Sequence, residues 1–175
     1  MGTTASIVKI REGAAGEKKV VIANVGDSRV YIFSADGKLE QVTLDDSIAR
    51  SVTQDELEAR LLQGKLNNVT DINTLNPQEQ AVFERRNELS QALGRPDIEP
   101  HIFTTDVRDG EKLIVTSDGI HDNLTDAEIS QILATSENNQ KAVENLTSAS
   151  LNRSREQHLR AKADDMSVIV AEFPA

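Results

Sequence analysis

Apolar residues in the first third of the chain come in short runs that turn residues separate, which is typical of β-strands. The runs are ASIVKI, VVIANVG and RVYIF, and the last two face each other across the short turn Gly26-Asp27-Ser28. A further hairpin is predicted at Asp36-Gly37, because Asp-Gly favours a tight turn between two antiparallel strands. Strands this close in sequence leave no room for crossover helices, so the pattern predicts an antiparallel sheet.

Two short helices are predicted in the segment 48–87, which interrupts the strands. Thr53 and Glu56 have the spacing of a capping box, and Gly64 marks the end of that helix. Asn76-Pro77 opens the second helix, and mostly polar residues lie between the two. We therefore interpret 48–87 as a surface insertion between core strands.

Strands and helices share the remaining part of the chain. The predicted strands are PHIFTTDV, KLIVTSD and the terminal MSVIVAEF. Thr125 and Glu128 form another capping box at the start of one helix, and a longer helix is predicted from about Glu137 to about His158. We expect residues 1–175 to form a single domain, since this length suffices for one core.

The composition excludes several classes of protein and site. The net charge of -10 argues against nucleic acid and against an anionic membrane surface as partners. The chain has no cysteine, which excludes a disulfide framework, a thiolate metal site and a cysteine nucleophile. Because no apolar run is long enough to span a membrane and the first residues lack a signal-peptide pattern, we expect a cytoplasmic monomer.

Three acidic turns next to strong strands, VGDSRV, TSDGIHD and ADDMSVIV, carry the candidate chemistry. Asp118 ends one strand and Asp164 precedes another, so their carboxylates meet at one rim if the strands are antiparallel neighbours. Asp27 could reach the same rim. Convergent carboxylates repel one another unless a cation lies between them, and Mg²⁺ and Mn²⁺ prefer oxygen ligands.

A structural explanation competes with this interpretation. Asp before Gly is ordinary turn chemistry, so each acidic turn by itself is better explained as a turn or a helix cap. Asp122 could be a loop residue before a capped helix, and Asp165 could be a solvated charge. We expect His121 at the surface rather than among metal ligands.

Taken in order, six motifs resemble the metal-dependent protein serine/threonine phosphatases, the PPM or type 2C family, in their bacterial form. The motifs are MGTTA, ANVGDSRVYIF, TLDDS, NELSQALG, LIVTSDGIHDNLT and DDMSVIV. The resemblance extends from Gly2 to about Phe173 and implies an α+β fold, a two-layer antiparallel β-sandwich flanked by α-helices. It also places the segment 48–87 at the family's flap.

The resemblance implies a role for four carboxylates. Asp118 and Asp164 match ligands of the main metal pair, and Asp27 and Asp122 match carboxylates linked to an additional, weaker metal. The implied cofactor is Mg²⁺ or Mn²⁺. The implied reaction is hydrolysis of phosphoserine or phosphothreonine in a phosphoprotein by a metal-activated water. No catalytic residue beyond the metal ligands and no organic cofactor is implied.

The sequence departs from the family pattern in two ways. Asp46 stands where bacterial members usually have His. The family's Asp-Gly-x-Gly-Gly motif, whose Asp bridges both metals, and an N-terminal Arg that binds the substrate phosphate do not precede Met1. We therefore expect an N-terminally incomplete phosphatase domain with weak or absent activity. A non-catalytic phosphatase-like binding module is the main alternative, and an acidic domain with purely structural Asp turns is another.

Overall fold

The computed structural model describes residues 2–13, 17–53 and 55–174, and its framework is two antiparallel β-sheets that lie face to face. The first sheet consists, in spatial order, of β1 (Ala5–Glu12), β2 (Lys18–Val25) and β5 (His101–Val107). The second consists, in spatial order, of β4 (Leu39–Gln41), β3 (Arg29–Phe33), β6 (Lys112–Thr116) and β7 (Val168–Glu172). The predicted antiparallel sandwich is thereby confirmed.

The central strand β3 shows why the core forms on both sides of the second sheet. Val30 and Ile32 pack with Val20 and Ile22 of β2, in the apolar layer between the sheets. Tyr31, between them in sequence, belongs to the apolar cluster on the opposite face. Successive side chains of a strand point to opposite faces, so an uninterrupted apolar run such as VYIF requires burial on both sides.

Helices cover the outer face of the second sheet. They are α4 (Asp118–His121), α5 (Asp126–Thr135) and α6 (Asn139–Arg153). Ile129 and Leu133 of α5 and Leu146 of α6 pack in one cluster with Tyr31 and Ile114 of the sheet. No helix in the described part of the chain is both long and apolar enough to cross a membrane.

The segment 48–87 forms helices of its own, α1 (Ile48–Ser51), α2 (Glu56–Asn67) and α3 (Pro77–Glu84), with a 3₁₀ turn at Ile72–Thr74. An apolar cluster of its own joins them: Ala49, Leu66, Val69, Leu75, Val82 and Phe83. This cluster is separate from the two that contain the strands. The segment therefore buries apolar surface largely against itself.

Two predicted helix starts are confirmed. Thr125 accepts a hydrogen bond from the backbone N–H of Glu128, whose side chain accepts one from the N–H of Thr125. Asn76 and Glu79 form the same reciprocal box at the start of α3, directly before Pro77. Both boxes satisfy N–H groups that a helix start leaves without an intrahelical partner.

The predicted boundaries of α2 and of the long helix α6 are wrong. α2 is capped by Asp55 rather than by Thr53, because the Asp55 carboxylate accepts the N–H of Glu58. The helix also continues through Gly64, which is tolerated because Leu66 in the following turn is buried. The long helix, expected over 137–158, spans Asn139–Arg153 because Asn138 accepts the N–H of Lys141 and caps it.

The pairing expected across Gly26-Asp27-Ser28 is also wrong. β2 pairs with β1 and β5, whereas β3 pairs with β4 and β6, so the turn carries the chain from one sheet to the other. Gly26 takes φ +97°, a left-handed conformation that favours glycine. The predicted hairpin at Asp36-Gly37 is confirmed, with β3 and β4 antiparallel on either side of it.

Candidate functional site

The second sheet brings two of the acidic turns together. β6 and β7 are antiparallel neighbours, and Thr116 at the end of β6 lies opposite Val168 at the start of β7. Beyond this pair, the N–H of Ser117 donates to the carbonyl of Ser167, and the N–H of Ser167 donates to Ser117 Oγ, both at 2.9 Å. Asp118 and the loop before β7 therefore share one rim of the sheet.

The carboxylates of this rim converge on Lys162. Its Nζ lies 2.5 Å from Asp118 Oδ2, 2.8 Å from Asp122 Oδ2 and 3.2 Å from Asp164 Oδ2. We refer to Asp118, Asp122, Asp164 and Lys162 as the acidic cluster. Burial acts to lower the pKa of Lys162, but the charges of Asp122 and Asp118 outweigh it and hold that pKa above its ordinary value. The ammonium group therefore remains charged.

Buried hydrogen bonds fix the backbone around Lys162. Asn123, which is fully buried, donates from Nδ2 to the carbonyl of Lys162 and accepts the N–H of Lys162 at Oδ1, both at 2.9 Å. The same Nδ2 donates to the carbonyl of Gly119. A Cβ on Gly119 would collide with the carbonyl oxygen of Asp165, so only glycine allows the two acidic turns to pack this closely.

Asp27 reaches the same region from the turn between the sheets. It is 8% exposed. Burial raises the pKa of Asp27 to about 7, and the charges of Asp118, Asp45 and Asp122 act in the same direction. The charge of Arg29 acts against this rise in the pKa, but no cation within the described ranges forms an ion pair with Asp27.

Asp46 fixes the turn that carries Asp27. It is fully buried, and its Oδ2 accepts the N–H of Gly26 at 2.9 Å while its own N–H donates to the Gly26 carbonyl at 3.1 Å. Its Oδ1 lies 3.0 Å from Nε2 of His101 on β5. The residue that departs from the family pattern therefore has a structural role in placing Asp27.

A buried ion pair lies behind the rim. Arg29 Nη2 donates to Asp45 Oδ2 at 2.7 Å, and both side chains are less than a tenth exposed. Arg160 is 2% exposed and donates to the carbonyls of Leu66 and His121. A cavity of about 20 Å³, room for about one water molecule, lies among these side chains.

The expectation that His121 lies at the surface is wrong. It is 1% exposed, and its Nδ1 lies 2.8 Å from Thr116 Oγ1. Burial lowers the pKa of His121 well below its ordinary value, and the positive charges of Arg29 and Arg160 add to the effect. His121 ends the single turn of α4, and that short turn packs it under the rim.

Sequence reasoning missed Lys162 and the Arg29–Asp45 pair. A signal existed for Lys162, because KADD places a basic residue two positions before Asp164. For Arg29 and Asp45 the sequence shows only that they lie in successive motifs. Their contact joins β3 to the loop after β4, and this pairing is visible only in the structure. Asp165, considered as a solvated charge, is exposed.

The chemistry of these carboxylates suits a hard divalent cation, but their arrangement does not. Over residues 2–13, 17–53 and 55–174, no group of three or more His, Asp or Glu side chains is arranged to hold a metal ion. The point where Asp118, Asp122 and Asp164 converge is filled by an ammonium group at hydrogen-bond distances. That Asp27, Asp118, Asp122 and Asp164 are metal ligands therefore remains a prediction.

Known proteins are similar to this chain in sequence and in fold. Residues 74–174 match the family model described as Stage II sporulation protein E (SpoIIE). The serine/threonine protein phosphatase PstP of Mycobacterium tuberculosis is 26% identical over 133 residues, which are 76% of this chain and 21% of PstP. The chain thus spans about a fifth of the length of that relative.

Solved phosphatase structures superpose on almost the whole chain. MsPP from Mycobacterium smegmatis, a PPM Ser-Thr phosphatase in complex with cacodylate, gives a TM-score of 0.67 at 28% identity. The match covers 99% of this chain and 63% of MsPP. A structure of the PstP catalytic domain in complex with 2 manganese ions gives 0.63 at 22% identity, covering 98% of this chain and 60% of that one.

Proposed function

Because the chain belongs to the SpoIIE-type PPM phosphatase family, we propose that it forms part of a domain that hydrolyses phosphoserine and phosphothreonine in proteins. The observation that carries the proposal is the gathering of Asp27, Asp118, Asp122 and Asp164 in one region of the sandwich. These are the carboxylates that the resemblance links to metals. The relatives, named as serine/threonine phosphatases, support the same substrate class.

We propose Mg²⁺ or Mn²⁺ as the cofactor of the longer domain, supported by the manganese ions named for the PstP structure. The chain by itself is a different case. It contains no Asp-Gly-x-Gly-Gly motif, and the ammonium group of Lys162 already contacts three of its carboxylates. We therefore propose that these 175 residues alone hydrolyse phosphate esters weakly or not at all.

A non-catalytic role as a phosphoprotein-binding module is the second candidate. One specific observation favours it, namely that the ammonium group of Lys162 takes the place in the acidic cluster that catalysis would require for a cation. In this case the sandwich retains a phosphatase-like surface without hydrolysis. The two candidates differ in whether turnover appears when the missing carboxylate is supplied.

We further propose that the segment 48–87 is a flap beside the site. Its support is that polar contacts connect α2 to the site region, while its apolar residues form their own cluster. Gln63 Oε1 accepts the N–H of Asp45, and the carbonyl of Leu66 accepts from Arg160. Asn67 Nδ2 donates to Asp126 at 2.8 Å. Such contacts can separate at a smaller cost than a shared apolar core.

The test compares the chain alone with the chain joined to an N-terminal segment that contains Asp-Gly-x-Gly-Gly. The substrates are p-nitrophenyl phosphate and a phosphothreonine peptide, with and without Mn²⁺. We expect manganese-dependent turnover only for the joined protein, and its loss in Asp118→Asn. Asp109→Asn is the matched control, because Asp109 lies in a turn and contacts Lys18 instead.

Two outcomes would contradict parts of the proposal. Manganese-dependent turnover by the chain alone would show that no bridging carboxylate is needed. A joined protein that folds and binds the phosphopeptide without turnover would favour the binding module.

A further inference from the structure

We propose that Lys162 is a built-in counter-cation of the acidic cluster, which occupies the point of convergence of Asp118, Asp122 and Asp164 and keeps a divalent cation out of this chain. The resemblance assigns a metal to these carboxylates, and the structure gives them an ammonium group instead. The proposal concerns ion binding alone and does not depend on hydrolysis.

The geometry of the ammonium group matches the cluster. A lysine ammonium has three N–H donors and no acceptor. Each of the three carboxylates contributes one oxygen, at 2.5, 2.8 and 3.2 Å from Nζ. Asp118 and Asp122 accept hydrogen bonds from two of the donors, and Asp164 adds an ion pair, so the ammonium group contacts the same oxygens that a cation would need. A metal at this point would lie next to a fixed positive charge as well as lose these ligands.

The position of Lys162 is set by the fold rather than by a freely moving side chain. Asn123, fully buried, pairs with both the N–H and the carbonyl of Lys162. Arg160, two residues earlier and 2% exposed, is fixed by the carbonyls of Leu66 and His121. The Lys162 side chain is only 20% exposed. Its ammonium group is thus directed into the cluster from an anchored backbone.

Removal of this charge should turn the cluster into a cation site. Lys162→Gln leaves three neighbouring carboxylates without the ammonium group, and their mutual repulsion is screened least at Asp122, whose side chain is 9% exposed. A divalent cation is then the available means of neutralising them. Lys162→Arg retains the positive charge and should retain the exclusion.

The experiment measures Mn²⁺ binding to the 175-residue chain by loss of the electron paramagnetic resonance signal of free Mn²⁺. We expect Lys162→Gln to bind Mn²⁺ about tenfold or more tightly than the wild type, because a like charge has been removed. Lys162→Arg should bind like the wild type. Lys141→Gln is the control for loss of a lysine, since Lys141 pairs with Glu144 at the surface. Asp118→Asn added to Lys162→Gln should remove the gain.

Equal Mn²⁺ affinity of the wild type and Lys162→Gln would overturn the proposal. If Lys162→Gln unfolds, thermal melts with Mn²⁺ and with a chelator replace the binding measurement. Recovery of folding by Mn²⁺ would support a newly opened cation site, and no recovery would contradict the proposal.

A measurement on the wild type needs no variant. Acetylation of Lys162 by an amine reagent, followed by mass spectrometry, should be slow and insensitive to Mn²⁺. Acetylation that rises with Mn²⁺ would show that the metal displaces the ammonium group and would overturn the proposal.

Discussion

Negative charge is balanced in different ways in the two halves of the acidic region, which are the acidic cluster at the rim and an inner half that contains Asp27, Asp45 and Arg29. In the acidic cluster one ammonium group contacts three carboxylates, and the side chains are 9–37% exposed. In the inner half, Asp45 has a guanidinium partner in Arg29, and both are less than a tenth exposed. Asp27, 8% exposed, has no such partner in the described ranges, and burial raises its pKa to about 7, whereas Arg29 opposes the rise that burial causes in the pKa of Asp45.

This difference follows from the access of water. A carboxylate at the rim keeps part of its hydration and can share a cation with its neighbours. A buried carboxylate loses its hydration and needs a partner of its own, or else it becomes protonated. The following predictions test this contrast and the packing that holds the acidic turns together, and they are ordered from the largest expected effect to the smallest.

Arg29→Met should lower the free energy of unfolding by about 3–5 kcal/mol, because it leaves the Asp45 charge buried and unpaired. Chemical denaturation near neutral pH measures the effect. Lys38→Met is the matched control, since Lys38 forms an exposed pair with Glu40, and it should stay within about 0.5 kcal/mol of the wild type. A loss for Arg29→Met as small as that of the control would show that the buried pair contributes nothing.

Asp27→Asn should change how stability depends on pH. The pKa of Asp27 is raised to about 7 in the folded state, so between its unfolded value and about 7 the folded state binds the extra proton. The wild type therefore loses stability as pH rises through this window. An asparagine at this position has no charge to bury, so the variant should be more stable than the wild type by about 2–4 kcal/mol near pH 8 and by about nothing near pH 4.

Denaturation curves at both pH values measure this difference, with Asp109→Asn as the exposed control. A gain that is equal at both pH values would mean that the charge of Asp27 is not the cause.

Gly119→Ala should cost about 1–3 kcal/mol, because a methyl group would collide with the Asp165 carbonyl and push the two acidic turns apart. Gly64→Ala is the matched control, because a methyl group at this position of α2 would meet open space. It should raise the free energy of unfolding by about 0.5–1 kcal/mol. Thermal unfolding of both variants measures the contrast. Equal effects of the two substitutions would refute the close packing at Gly119.

Asp164→Asn should have the smallest effect, at most about 1 kcal/mol, because the Asp164 side chain is 37% exposed and its pair with Lys162 is screened by water. The difference from the wild type should shrink further as salt is added. Denaturation at low and high ionic strength measures it. A loss comparable to that of Arg29→Met would mean that the rim and the inner half do not differ in the proposed way.

Features that depend on neighbours in sequence were predictable from the sequence. The capping box at Thr125, the helix start at Asn76-Pro77 and the Asp36-Gly37 hairpin form as predicted, since each involves residues within a few positions of one another. The antiparallel strands followed from short apolar runs, and the order of motifs indicated the phosphatase-like sandwich. The meeting of Asp118 and Asp164 at one rim was predicted on the condition that their strands are antiparallel neighbours, which β6 and β7 are.

Features that depend on which distant segments meet were decided only by the tertiary structure. The turn at Gly26 is compatible in sequence with a hairpin or with a link between sheets. It is a link, because β2 pairs with β1 and β5 whereas β3 pairs with β4 and β6. His121 is polar yet buried, because the fold places α4 beneath the rim. Lys162 lies 44 positions from Asp118, and buried Asn123 directs it to the carboxylates. The sequence alone determined which carboxylates flank the strands, and the packing determined which of them meet and which positive charge lies among them, because a charge pair depends on distance in space.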